Sequence, residues 1–196
     1  MANIKSALEI AMETVEKLGD ATEEERLEWK YVPQGEQLAA RYLKENCDLV
    51  AELNHHQDNV RKYIVEGAAN ILIRNISLPK NDVTKRNNRK AMDGLKTVKS
   101  DKVSIENIYS RIRSLFNHYT EQGEQQRGQA YQTLKTEFKT KIQQAIQQQL
   151  GSMTGVNIEV EKQPQFQQEW RKIETQLDLQ YLNHLAEYKQ ELSDVA

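Results

Sequence analysis

The chain has 196 residues, of which 38% are hydrophobic and 29% are charged, and its formal net charge is −2. That lean apolar share favours long helices with one apolar stripe and large solvated faces over a compact globule. With only 8 Gly and 3 Pro, the chain lacks the frequent turns of an all-β fold, and its overall charge implies no obligatory polyanion partner.

Features of targeting and redox chemistry predict a cytoplasmic protein. The first residues carry Glu9, Glu13 and Glu16 and no long apolar core, which argues against a signal peptide. No apolar run is long enough to span a membrane, so no membrane association is expected. A single cysteine, Cys47, excludes an internal disulfide framework and suits a reducing compartment.

The N-terminal part predicts several short helices. Apolar residues recur in steps of three and four from Ile4 to Leu18, which is typical of an amphipathic helix. Thr22 followed by Glu25 predicts a capping box at the start of a second helix. Pro33 predicts an interruption, because its ring blocks a continuing helix, and a new helix is expected to begin there and run to about His56.

The most apolar stretch of the chain predicts a central core helix from Val60 to Leu78, which Pro79 would stop. Within it, Gly67 and Ala68 are small enough to let another helix come close. The segment 80–102 follows, and its apolar residues give only a weak helical face.

The clearest pattern is a heptad-like seam that begins at Ile105 and reaches Tyr119. The stripe resumes at Tyr131 and continues to Ala145. Between them, residues 120–128 either turn or continue one helix of more than forty residues. We favour the turn, because two glycines in a helix interior cost about 1 kcal/mol each.

The C-terminal part predicts a linker and one more long helix. Gly151 is expected to end the preceding helix, and the alternation of Val156, Ile158 and Val160 is compatible with a short strand. A final amphipathic helix is expected from about Gln165 to Leu192.

The predicted fold class is therefore all-α. A bundle of short helices at 1–99 is joined to long antiparallel, coiled-coil-like helices at 100–196, as two parts or as one continuous domain.

Four segments together resemble a family of uncharacterised, small, all-helical bacterial proteins. They are IKSALEIAMETVE, GEQLAARYLKENCDLVAEL, the apolar stretch closed by Leu78-Pro79, and PQFQQEWRKIETQLDLQYLNHL. The resemblance covers most of the chain and implies a cytoplasmic helical protein. It implies no activity, so it assigns no functional residue.

Catalytic and metal chemistry have weak support. Glu52 and His55 form a Glu-x-x-His step of the kind that di-iron bundles use, but no second such step exists. Cys47 lies inside a helical pattern, away from any feature that would activate a thiol. No nucleotide-binding, nucleophile-elbow or Cys-x-x-Cys motif is present, so we expect no enzyme and no cofactor.

The segment 80–102 holds eight basic residues against three acidic ones. Phosphate contacts would fall to Lys85, Arg86, Arg89 and Lys90. The segment has no aromatic residue to stack on bases, so a solvated basic face is the default interpretation. Docking against the acidic residues 1–28 is the second interpretation, and nucleic-acid binding is the third.

The apolar faces of the C-terminal helices must be buried, either against one another or against a second copy of the chain. Under the second interpretation, self-association would use apolar and aromatic residues of these stripes, since aromatics are enriched in interface cores. These residues are Ile112, Tyr119, Trp170, Tyr181 and Tyr188.

The sequence thus favours a non-enzymatic interaction or scaffold protein that self-associates or binds another protein through its C-terminal helices. The alternative is a nucleic-acid-associated accessory protein that uses the basic 80–102 segment. A metal-binding helical bundle around Glu52 and His55 comes third.

Overall fold

A computed structural model describes residues 21–45, 47–150 and 159–195 of the chain. Every regular element in these ranges is helical, which confirms the all-α prediction. None of the described helices is long and apolar enough to cross a membrane. The helix predicted at residues 4–18 lies outside the described residues.

The described helices are numbered in chain order. They are α1 (Glu23–Lys44), α2 (Leu49–Asn54), α3 (Asp58–Asn75), α4 (Asp82–Val98), α5 (Lys102–Leu150) and α6 (Pro164–Asp194). A short 3-10 helix, Val160–Lys162, precedes α6.

Helix α1 begins as the sequence predicts and ends differently. The Thr22 hydroxyl accepts a hydrogen bond from the Glu25 amide at 3.2 Å, and the Glu25 carboxylate accepts one from the Thr22 amide at 2.8 Å, which confirms the capping box. The helix then continues through Pro33 to Lys44, so the predicted interruption is wrong. The predicted helix to His56 is also wrong as one piece, because a separate α2 begins at Leu49.

The chain divides into two compact units, each built from more than one segment. The first comprises Met1–Ile76, Arg86–Ile105 and Ser193–Ala196, and the second comprises Ser77–Lys85 and Glu106–Leu192.

In the first unit, α1 packs along α3 at very short range. A Cβ atom on Gly35 would lie 2.0 Å from the carbonyl oxygen of Ile64, and one on Gly67 would lie 2.0 Å from that of Val32. The two glycines therefore allow the backbones to approach more closely than any side chain permits. This arrangement confirms the prediction that Gly67 admits a neighbouring helix.

In the second unit, α5 and α6 pair side by side. Arg111 contacts Glu191, Tyr119 contacts Tyr181, and the Tyr131 ring lies 5.5 Å from that of Phe166. Residue numbers rise along α5 while they fall along α6, so the helices run in opposite directions over this stretch.

Helix α5 is continuous through residues 120–128, so the turn that the sequence favoured is wrong. Gly128 has nothing within 4 Å of the position that a Cβ would take, whereas Gly123 lies close to Tyr181. One of the two glycines is thus used for packing, and the surrounding Glu, Gln and Arg are good helix formers that offset the cost of both.

The possible strand near residue 160 is only partly described. Val156 and Ile158 lie outside the described residues, as does the predicted helix end at Gly151. Val160 begins the 3-10 helix and belongs to no strand. The last helix begins at Pro164, which agrees with the predicted start near Gln165.

Candidate functional site

The most unusual side chain in the second unit is a buried carboxylate in the middle of α6. Asp178 is 3% exposed. Its Oδ2 atom lies 2.5 Å from Nζ of Lys80, and its Oδ1 atom lies 3.6 Å from Nη1 of Arg127. A charge that leaves water is tolerated only when it is paired, and these two cations supply the pairing.

Aromatic rings complete the surroundings of this carboxylate. The Tyr119 and Tyr181 rings meet edge to face with centroids 5.1 Å apart, and the Arg127 guanidinium lies 4.3 Å from the Tyr119 centroid. Nδ1 of His118 lies 2.9 Å from the Tyr181 hydroxyl. We call the set that touches Asp178 and its partners the Asp178 layer: Lys80, Tyr119, Arg127, Asp178 and Tyr181.

The surroundings of Tyr119 in the Asp178 layer favour its neutral form. Burial, followed by the negative charge of Asp178, raises the pKa of the Tyr119 hydroxyl to about 12. The guanidinium of Arg127 opposes part of this shift. Tyr119 is therefore a neutral hydrogen-bonding group at physiological pH and is poorly suited to act as a base.

Position 123 has no side chain, which leaves room for two members of this layer. A Cβ atom on Gly123 would lie 3.1 Å from Nη1 of Arg127 and 3.2 Å from the hydroxyl oxygen of Tyr181. Both polar tips occupy the space beside the Gly123 backbone. Gly123 thus leaves room for the Tyr181 side chain and the Arg127 guanidinium beside the same turn of α5.

Hydrogen bonding within the layer is incomplete. Among the described side chains, the buried Oδ1 of Asp178 and the buried Nη1 of Arg127 make no hydrogen bond. Their separation of 3.6 Å is an ion pair beyond good hydrogen-bond length. The layer carries the marks of a specialised region, which are buried charge and a shifted pKa.

A second feature lies further along the pair, near the C-terminal end of α5 and the N-terminal end of α6. Among the described residues, three buried apolar side chains form a small core there, namely Leu134, Val160 and Phe166. Five more are partly buried against them, and we call these the distal aromatic cluster: Tyr131, Phe138, Ile142, Trp170 and Ile173. The Tyr131 ring meets Trp170 edge to face at 5.0 Å. Each of these five side chains therefore keeps a part of its apolar surface exposed.

The residues predicted for self-association separate into two groups. Ile112, Tyr119 and Tyr181 are 0%, 3% and 3% exposed, so the chain itself already covers them. Trp170 and Tyr188 are half-buried, and the Arg111 guanidinium lies 4.9 Å from the Tyr188 ring. Of the five, Trp170 alone belongs to the distal aromatic cluster.

The two residues predicted as weak metal ligands make contacts at α2, through the side chain of Glu52 and the backbone of His55. Glu52 lies 2.9 Å from Arg41 in an exposed ion pair. The amide of His55 closes the end of α2 by donating to the Glu52 and Leu53 carbonyls. Across the described ranges, no group of three or more His, Cys, Asp or Glu side chains is arranged to hold a metal ion.

The residues predicted to contact nucleic acid lie on α4, where two of them have partners in the chain. Lys85 lies 3.4 Å from Asp82. Lys90 donates to the Glu45 carbonyl at 2.8 Å and lies 5.3 Å from the Tyr42 ring centroid. Arg86 and Arg89 are exposed.

Other cations of the 80–102 segment are also used within the chain. Lys80 belongs to the Asp178 layer. Lys99 donates to the carbonyl of Ser193 at 3.1 Å and to that of Val195. Lys102 donates to the carbonyls of Lys99 and Thr97 at the end of α4. Lysines at a helix end satisfy carbonyls that have no partner in the helix.

Sequence reasoning missed the Asp178 layer as a unit. Tyr119 and Tyr181 were identified as stripe residues and Lys80 as part of a basic face, whereas Asp178 was not singled out. The one available signal was an acidic residue at a position that the apolar stripe of α6 brings inside, three before Tyr181 and seven before Leu185.

The comparisons with known proteins identify a family and no activity. The chain belongs to a family of unknown function (DUF6657), which it matches over residues 50–194. No curated protein and no solved structure matches it. The matched range includes both the Asp178 layer and the distal aromatic cluster.

Proposed function

We propose that this chain is a non-enzymatic helical interaction protein that self-associates through the distal aromatic cluster. The single observation that carries the proposal is the half-burial of five large apolar side chains around a three-residue core. Aromatic residues in such positions are the usual anchors of protein interfaces. The proposal keeps the predicted role of the C-terminal helices and changes its residues. Trp170 remains, and neighbours of Trp170 replace the buried Ile112, Tyr119 and Tyr181 and the half-buried Tyr188.

A second copy of the chain is the partner that fits best. Exposed glutamines border the cluster on both helices, at positions 143, 144, 147 and 148 of α5 and 167 and 168 of α6. Uncharged side chains do not repel their own copies, so two such surfaces can meet about a twofold axis with a polar rim.

The proposed setting is the cytoplasm, because Cys47 is a free thiol and suits a reducing compartment. The absence of catalysis is part of the proposal. It is supported by the use of the Asp178 layer for internal pairing, with Tyr119 held neutral.

The test is light scattering coupled to size exclusion, over a range of micromolar concentrations, on the parent and two variants. Trp170→Ala removes the largest anchor of the cluster. It is expected to weaken dimerisation by about tenfold or more, since an aromatic hot spot contributes about 2 kcal/mol. Leu182→Ala, on an exposed face of the same helix, is the matched control and should leave the dimer unchanged.

Circular dichroism of each variant checks that the helices persist. A parent chain that stays monomeric at the highest concentration would refute the proposal. A dimer that Trp170→Ala and Leu182→Ala weaken equally would place the interface elsewhere.

A further inference from the structure

The α5–α6 pair has apolar contacts on both sides of the Asp178 layer. On one side lie buried Ile108, Ile112 and Leu185, and on the other lie Leu134 and Phe166. Apolar stripes with steps of three and four look alike after a shift of one heptad. Apolar packing alone therefore discriminates weakly between the observed register and a shifted one.

Between Tyr119 and Tyr131, α5 presents no large apolar side chain to its neighbour. Gly123 is the buried residue of this stretch, and Arg127 is half-buried. The apolar seam is thus interrupted by one polar layer in the middle of the pair. In helical pairs, a single buried polar position is a well-attested means of specifying register, at a cost in stability.

The contacts of the layer exist in one register only. Asp178 meets Arg127 from α5 and Lys80 from the segment before α4. The Tyr181 hydroxyl occupies the space beside Gly123. A shift of one heptad moves α6 by about 10 Å, which would separate the Asp178 carboxylate from Arg127 and the Tyr181 hydroxyl from Gly123.

We propose that the Asp178 layer fixes the register of α6 against α5. Apolar contacts hold the two helices together, and the buried charges exclude the shifted arrangements. This role is independent of self-association and concerns the folded chain itself.

The test measures register directly by cross-linking in full-length chains that carry Cys47→Ser. One reporter pair, Arg111→Cys with Glu191→Cys, replaces residues that contact each other in the observed register. The other, Arg111→Cys with His184→Cys, samples a shift of one heptad on the same helix face. A short bismaleimide reacts with each pair, and the ratio of the two rates reports the relative populations.

Without further substitution, the observed-register pair should react at least about tenfold faster, because a minor state of this kind is populated at roughly 10% or less. Asp178→Asn keeps the shape and removes the charge, and it should lower the ratio by about threefold or more. Replacing all three ions with apolar groups (Lys80→Met, Arg127→Met, Asp178→Leu) should bring the ratio close to one while the thermal midpoint stays equal or rises.

Leu185→Ala is the control, since it removes a buried apolar group from the same pair and should lower the thermal midpoint without changing the ratio. An unchanged ratio in Asp178→Asn would overturn the proposal. An equal fall in Leu185→Ala would do the same, because loss of stability alone would then explain the effect. If the triple variant does not fold, the Asp178→Asn result decides.

Discussion

At the scale of single residues, the buried charge on Asp178 has to be reconciled with a lean apolar core. Removing an ion from water costs several kcal/mol even after relaxation, and the attraction of its partners offsets this only with good geometry. Here one contact is close and the other is long, at 2.5 Å to Lys80 and 3.6 Å to Arg127. The layer is therefore a poor source of stability, and specificity is the better explanation for its presence.

Tyr119 gives this layer a measurable signature at alkaline pH. Its pKa is raised from 10.0 to about 12 in the folded chain, so folding favours the neutral phenol. The resulting stabilisation is fully present below pH 10 and is lost as the pH rises from 10 to 12, because the unfolded chain then releases a proton that the folded chain retains. Relative to Tyr119→Phe, the parent should lose about 2 kcal/mol of unfolding free energy across this window.

The measurement is denaturant unfolding of the parent, Tyr119→Phe and Leu185→Ala at several pH values. Lysines and other tyrosines titrate in all three proteins, so only the differences between them are interpreted. The difference in unfolding free energy between the parent and Leu185→Ala should stay constant with pH, since that substitution involves no titratable group. A constant difference between parent and Tyr119→Phe would contradict the raised pKa.

The residues of this layer also show where sequence-based reasoning stops. The periodicity of α6 brings position 178 to the inner face, but an acidic residue in a chain with 29 acidic residues resembles ordinary helix surface. Its partner Lys80 lies far away in sequence, in a segment whose eight cations suggested a single basic face. Only the tertiary structure brings the carboxylate and the ammonium together.

At the scale of elements, tertiary packing determines where helices continue against the preference of their local sequence. Pro33 removes one helical hydrogen bond and costs about 3 kcal/mol in a helix interior, which is why the sequence predicted an interruption. We attribute the continuity of the helix to the packing of Gly35, one half-turn later, against the backbone of α3. The capping box and the core helix α3 were predictable, since each depends on residues that are close in sequence.

Close contact between α1 and α3 leads to a prediction about glycine substitutions. Gly35→Ala places a Cβ 2.0 Å from the Ile64 carbonyl oxygen, so the helices must separate. We expect a loss of about 1–3 kcal/mol or more in unfolding free energy, as for other overpacked cores. Gly67→Ala should behave alike, because its Cβ meets the Val32 carbonyl oxygen at the same distance.

The matched control for these variants is Gly128→Ala in α5, where nothing lies within 4 Å of the added carbon. It should gain about 1 kcal/mol, since alanine is the better residue in a helix interior. Urea unfolding with a common m-value measures all three variants. A neutral Gly35→Ala would show that the helices separate at little cost, and a destabilising Gly128→Ala would argue against the continuous α5.

At the scale of the whole molecule, the charge distribution bears on the choice between a protein partner and a nucleic acid. The segment 80–102 is basic in sequence, but its lysines at positions 80, 85, 90, 99 and 102 all have partners within the chain. Affinity for nucleic acid depends on cations that can replace counterions at phosphates. Arg86 and Arg89 are exposed, whereas Asn88 is buried and does not reach the surface where a nucleic acid would bind.

From this distribution we expect no tight binding to generic DNA or RNA at physiological salt. Because five of the eight cations of this segment already have partners within the chain, we expect a weak dependence of affinity on salt, below that of proteins that make six or more phosphate contacts. Fluorescence anisotropy with labelled duplex and single-stranded probes, at low and physiological salt, measures this directly. The charge-reversed variant Arg86→Glu/Arg89→Glu identifies any residual binding, and Lys172→Glu on α6, which changes the net charge half as much, tests whether a charge reversal elsewhere has a similar effect. Tight binding at physiological salt that the double variant abolishes and Lys172→Glu preserves would establish α4 as a nucleic-acid surface. Nucleic-acid binding would then replace self-association as the first function to pursue, because it would rest on a measured interaction of two arginines, whereas self-association rests on the partial burial of the distal aromatic cluster.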